Sequence, residues 1–180
     1  MHTRFVRLMA IMLILGGIAA AQMSKDKSQR PSPPAQAQCK FADGKTITVD
    51  YSSPRTKGRK IFGDLVPYGE VWRTGANEAT TFVTTADVKA GKVEIPAGNY
   101  TIFTIPNQDK WTLIINKKTG EWGIPYKYES DELGRVDMKV SQASSPVEDF
   151  TIAFDQKGGS CDMSISWDRT KSTADFREAK

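Results

Sequence analysis

Tyr100-Thr101-Ile102-Phe103-Thr104-Ile105, then Pro106-Asn107-Gln108-Asp109, then Trp111-Thr112-Leu113-Ile114-Ile115: this stretch decides the fold class. The first run is β-rich and apolar on both faces, the four residues after it are turn formers, and the second run is β-rich again. The reading is a central antiparallel pair of strands. The flanking sequence keeps the period of two. Ile47, Val49 and Tyr51 alternate with Thr46, Thr48 and Asp50 behind an Asp43-Gly44 turn, with Cys39 and Phe41 on its other side, so a hairpin is expected there. Further strands are predicted in the Thr-rich segment 79–85 and at Val93 and Ile95 before Pro96-Ala97-Gly98. Others follow at Val136, Met138 and Val140, at Phe150, Ile152 and Phe154, and after Gly158-Gly159 at Cys161, Met163, Ile165 and Trp167, with Asp168-Arg169 as a turn into a last strand. Roughly eight short strands predict an all-β domain, an antiparallel β-sandwich or jelly-roll-like fold, with a small barrel as the alternative.

The chain has 180 residues, 39% hydrophobic and 26% charged, the composition of one domain with some excess chain. The excess lies at the N-terminus. Arg4 and Arg7 precede an apolar run over residues 8–21 that is too short to span a bilayer and ends in Ala19-Ala20-Ala21. That is the pattern of a secretory signal peptide cleaved after Ala21, so the expected location is periplasmic or secreted, with no transmembrane segment after cleavage. Residues 22–38 hold three prolines, four glutamines and no aromatic, and read as a disordered linker; the β-domain is expected over 39–180. The formal charge is +4, and loss of Arg4 and Arg7 leaves +2, which argues against nucleic acid as a partner.

Two cysteines stand at opposite ends of the expected domain. In an exported chain an even pair favours a disulfide between Cys39 and Cys161, the alternative being two buried thiols. Parity puts Cys161 on the face of Met163, Ile165 and Trp167, so it points inward. No CxxC pair and no Cys/His zinc pattern occurs, and neither a metal nor a cofactor is expected.

One stretch breaks the strand period. Residues 53–79 carry six Gly and Pro and no long alternation, yet include Ile61, Phe62, Leu65, Val66, Tyr68, Val71 and Trp72. A connection this long is usually functional or disordered, and this much apolar surface does not stay solvated. A long structured loop folded onto the sheet is the expectation. Its residues Ser52-Ser53-Pro54-Arg55, Gly58-Arg59-Lys60-Ile61-Phe62-Gly63, Leu65-Val66-Pro67-Tyr68-Gly69-Glu70 and Val71-Trp72-Arg73-Thr74-Gly75-Ala76-Asn77-Glu78-Ala79-Thr80 closely resemble the signature of an exported bacterial domain-of-unknown-function family, number 2911. The resemblance continues through Ile95-Pro96-Ala97-Gly98, Phe103-Thr104-Ile105-Pro106, Trp122-Gly123 and Val147-Glu148-Asp149-Phe150, covering most of residues 46–155. It implies membership of the family; no activity and no catalytic residue comes with it.

The chemistry of this loop is that of anion recognition. Arg55, Arg59 and Arg73 are planar fixed-charge donors, Asn77 and Glu78 add an amide and an acid, and Tyr68 and Trp72 supply aromatic walls. The leading expectation is a non-catalytic binding or cell-envelope module for a small anionic metabolite or a carbohydrate. The structural alternative has Arg73 or Arg59 paired with Glu78 or Glu70, and Asn77 serving the loop backbone, with no ligand. In a carbohydrate reading Trp72, Trp111, Trp122 and Tyr126 stack on sugar rings, although Trp111 and Trp167 alternate with apolar neighbours as core residues do. An enzyme is the third class. The sole histidine is His2, which removes the histidine-dependent triads; Glu70 or Glu78 remain as candidates for a carboxylate-dependent hydrolase.

Overall fold

A computed structural model describes residues 26–179; the expected signal peptide and residues 22–25 of the linker lie outside the described residues. The chain is almost entirely antiparallel β: β1 (Pro34–Lys40), β2 (Thr46–Ser52), β3 (Thr80–Thr84), β4 (Val88–Ala90), β5 (Val93–Ile95), β6 (Gly98–Ile105), β7 (Lys110–Asn116), β8 (Glu132–Lys157) and β9 (Ser160–Glu178). Single 3-10 turns at Lys27–Gln29 and Glu129–Asp131 are the helical segments among the described residues, and no helix there is long and apolar enough to cross a membrane.

All nine strands belong to one ladder, in the order β1-β2-β3-β6-β7-β8-β9-β4-β5. The ladder does not close, which excludes the barrel alternative. It doubles back instead, so that Phe82 on β3 meets Phe176 on β9 with ring centroids 5.2 Å apart, and Tyr51 on β2 meets Phe150 on β8 at 5.6 Å. The layers are sealed where no ladder joins them, by the Cys39–Cys161 disulfide between β1 and β9. Cys161 points inward with Met163, Ile165 and Trp167, as its parity requires.

The hairpin expected around residues 100–115 is β6–β7, with Thr101 opposite Asn116 and Ile105 opposite Thr112. Residues 100–104 and 113–116 are buried in succession, so both faces of the pair are covered, which fits its central place in the order. Three readings are corrected. Residues 34–38 are not part of a tether but the first five residues of β1, because Ala35, Ala37 and Cys39 face inward while Gln36 and Gln38 make rungs to Asp50 and Thr48. The segments around Met138 and Ile152 are not separate strands but one strand, β8, broken in register between Gln142 and Thr151, where Pro146 has no N–H to give to a ladder. Asp168 is not a turn. It takes a positive φ of 51° within β9 and kinks the strand opposite that bulge.

Candidate functional site

The 53–79 loop is stitched to the sheet at both ends. Near its start Phe150 N–H bonds Pro54 O at 2.8 Å and Thr56 N–H bonds Glu148 O at 2.9 Å, so the chain pairs with the bulge of β8. The Glu148 carboxylate accepts from the Thr56 hydroxyl and from Lys57 N–H, and these bonds hold its pKa below the usual range. Near its end Trp72 exchanges backbone bonds with Thr104 at 2.7 and 2.9 Å, occupying beside β6 the place that β3 vacates. Between these seams, side chains sink into the core. Phe62 lies 4.9 Å from Trp111, Trp72 lies 5.2 Å from Phe150, and Trp72 stacks on Trp167 at 6.0 Å.

Directly after Trp72 the backbone is strained. Thr74 is fully buried with φ at 56°, a conformation that costs a β-branched residue on the order of 1–3 kcal/mol. It is held there by Thr80, whose hydroxyl donates to Thr74 O at 2.7 Å, and by the Thr104 hydroxyl at 3.1 Å from its own. The kink turns Trp72 into the core and Arg73 out of it. On the other side of Arg73, Gly123 has φ at 88°, and a Cβ there would fall 2.9 Å from Ala79 and 3.3 Å from the Arg73 Cβ. Glycine thus lets the 121–125 segment close in, setting the Trp122 ring 4.9 Å from the Arg73 guanidinium.

The result is a cleft of about 420 Å³. Trp72 and Trp167 form its floor, Leu65 and Ile124 its rim, and Arg59, Glu70 and Arg73 carry its charges. Arg73 is half-buried and forms no ion pair among the described residues; its polar contact is a 3.5 Å bond to Trp122 O. Burial draws its pKa below the usual guanidinium range, against the pull of the Glu78 charge, and it stays protonated.

The other expected site residues are engaged elsewhere. Arg55 pairs with Asp149 at 2.7 Å and donates to Ser53 O. Arg59 lines the cleft, but its Nε and Nη2 donate to Thr56 O and Arg55 O. Tyr68 is exposed over a separate shallow hollow beside Asn107 and Lys110. Asn77 donates to Ser32 O, and Glu78 takes Arg30 at 2.7 Å and Lys27 at 3.4 Å, so both fasten the N-terminal segment and not the cleft. The loop therefore brings together Arg59, Trp72 and Arg73 and leaves out Arg55, Tyr68, Asn77 and Glu78. Of the two acids considered for hydrolysis, Glu70 lines the cleft and Glu78 is bonded to Arg30 and Lys27. Of the aromatics considered for sugar stacking, Trp111 is buried, Trp122 is exposed against Arg73, and the Tyr126 hydroxyl donates to Glu132 at 2.7 Å.

Glu78 yields a pH prediction. The Arg30 bond, foremost among its partners, holds the carboxyl at about 2 against an ordinary 4.5. Its contribution to stability is present above about pH 4.5 and is lost as pH falls toward 2. The side chain is 42% exposed, so screening limits that contribution to about 1 kcal/mol. Urea melts of Glu78→Gln should show the deficit at pH 7 and coincide with wild type at pH 2.

A larger concavity, about 1080 Å³, lies elsewhere, over the outer face of β8 and β9. It is an open charged surface on which Lys157 pairs with Asp155 and Arg177 with Asp175, and no aromatic lines it.

Residues 32–176 match the family described as a protein of unknown function, DUF2911. The chain belongs to the DUF2911 family. No curated protein and no solved structure matches it. The DUF2911 match takes in the whole loop, its seam at Glu148 and Phe150, and both cysteines. Several cleft residues escaped the sequence reading. Leu65, Val66 and Ile124 read as ordinary apolar positions, and Ser32 reaches the cleft from the segment taken as linker. No local pattern marks Ser32 or Ile124, since they lie outside the loop and reach it only through the fold.

Proposed function

We propose that this DUF2911 protein is an exported, non-catalytic binding module of the cell envelope that takes a small organic anion in the cleft of its 53–79 loop. The observation that carries the reading is Arg73: a half-buried residue on the lining of an aromatic-floored cleft, its guanidinium against the Trp122 ring and without a carboxylate partner among the described residues. A charge-assisted bond to a carboxylate or phosphate there is worth more than in water, because the apolar lining screens it less. Export is supported by the Cys39–Cys161 disulfide, a bond that persists in oxidising compartments.

A second reading, a purely structural clasp, draws on the bonds that commit Arg55, Arg59, Asn77 and Glu78 to loop and N-terminus. Melting of the purified protein with benzoate, hexanoate, citrate, phosphate and glucose separates the two. The binding reading expects at least one anion to raise the melting temperature and glucose to leave it unchanged. It expects Arg73→Gln to lose that response while melting only about 2–4 °C lower, the cost of one cation–π contact. A screen silent throughout decides for the clasp.

A further inference from the structure

We propose that the occupant of the cleft is a singly charged amphiphile, a monocarboxylate whose apolar body lies along Trp72 and whose head meets Arg73. The inference rests on the binding reading and narrows its ligand. Charge comes first. Arg59 and Arg73 stand against Glu70 on the lining, leaving one net positive charge, which one carboxylate neutralises and a second would overshoot. A dianion would also set one charge against Glu70 or the apolar wall, where nothing pairs it.

Polarity comes second. Apart from those three residues, Ser32 is the polar side chain on the lining, and no amide, threonine or tyrosine faces the space. A sugar desolvated there would leave most of its hydroxyls unmet, whereas an alkyl or aryl body loses nothing. The third observation is where exposed apolar surface collects. Four large hydrophobic residues are exposed among those described: Leu65, Tyr68, Trp122 and Ile124. Leu65 and Ile124 line the cleft, and Trp122 lies against Arg73 on that lining, so two of the four border the cleft and a third touches one of its charged residues. Scattered apolar residues need no cause, but a cluster around a charged cleft marks a place that an apolar body covers. The volume of about 420 Å³ lies at the small end for ligand pockets, suiting one short chain or one ring.

The test is calorimetric titration of the purified protein with acetate, butanoate, hexanoate and octanoate, beside adipate and hexanol as controls of equal carbon count to hexanoate. Affinity should rise with length by up to about fourfold per methylene, from about 0.8 kcal/mol for each one buried. Hexanoate should bind more tightly than both adipate and hexanol. Affinity independent of chain length, or adipate or hexanol equal to hexanoate, overturns the amphiphile while leaving an anion site standing. Absence of binding by every compound from a protein that melts normally overturns the anion site as well.

Discussion

Breaking the Cys39–Cys161 disulfide lowers the unfolding free energy by about 4 kcal/mol and the melting temperature by roughly 10–15 °C. The effect is large because of where the bond lies. β1 ends the ladder, and β9 is six places along it, so no backbone hydrogen bond ties these strands. The disulfide spans 122 residues, and a loop of that size is costly to close from the unfolded chain. Both cysteines are buried, at 4% and 0% exposure, so loss of the sulfurs also leaves a small void between the layers. The double variant Cys39→Ala/Cys161→Ala, melted in urea beside wild type with and without reductant, checks this. Wild type in reductant should approach the variant, and reductant should leave the variant unchanged.

Replacing Trp72 by alanine costs about 3–4 kcal/mol and melts the protein about 6–12 °C lower. Trp72 belongs to the loop yet contacts the rings of Phe62, Trp111, Phe150 and Trp167, drawn from loop, β7, β8 and β9. Its indole N–H donates to Gly75 O at 3.1 Å, closing the kink that turns Arg73 outward. Alanine empties the shared contact and frees the kink together. Trp72→Phe keeps most of the ring stack and loses the hydrogen bond, so its deficit should be about 1 kcal/mol. Urea melts of the two variants measure the difference, and near-equal losses would mean that the ring does not fasten the loop.

What could be read in the sequence was what local physics determines. The Asp43-Gly44 hairpin, the central pair around residues 100–115 and the inward parity of Cys161 follow from period and turn chemistry alone. The apolar content of the 53–79 loop likewise required it to be folded down. β4 escaped because Val88-Lys89-Ala90 is too short to show a period. β1 was misread through its glutamines and prolines, although Ala35, Ala37 and Cys39 already alternate. At the site, residue type was informative and pairing was not. Arg55 finds Asp149, and Glu78 finds Arg30, across 94 and 48 positions, and nothing in a single sequence says which of twenty-one acids meets which cation. Arg73, unlike Arg55, has no acid partner among the described residues, a property that exists only once the others have been placed.

Arg73→Gln, melted beside wild type in the presence and absence of hexanoate, measures this most directly. A guanidinium on the lining of an aromatic cleft, without an acid partner among the described residues, predicts that hexanoate stabilises wild type and not the variant, while the two unliganded proteins melt within about 4 °C of each other. Equal stabilisation of both proteins by hexanoate would contradict it, as would collapse of the unliganded variant, which would make Arg73 a strut of the loop.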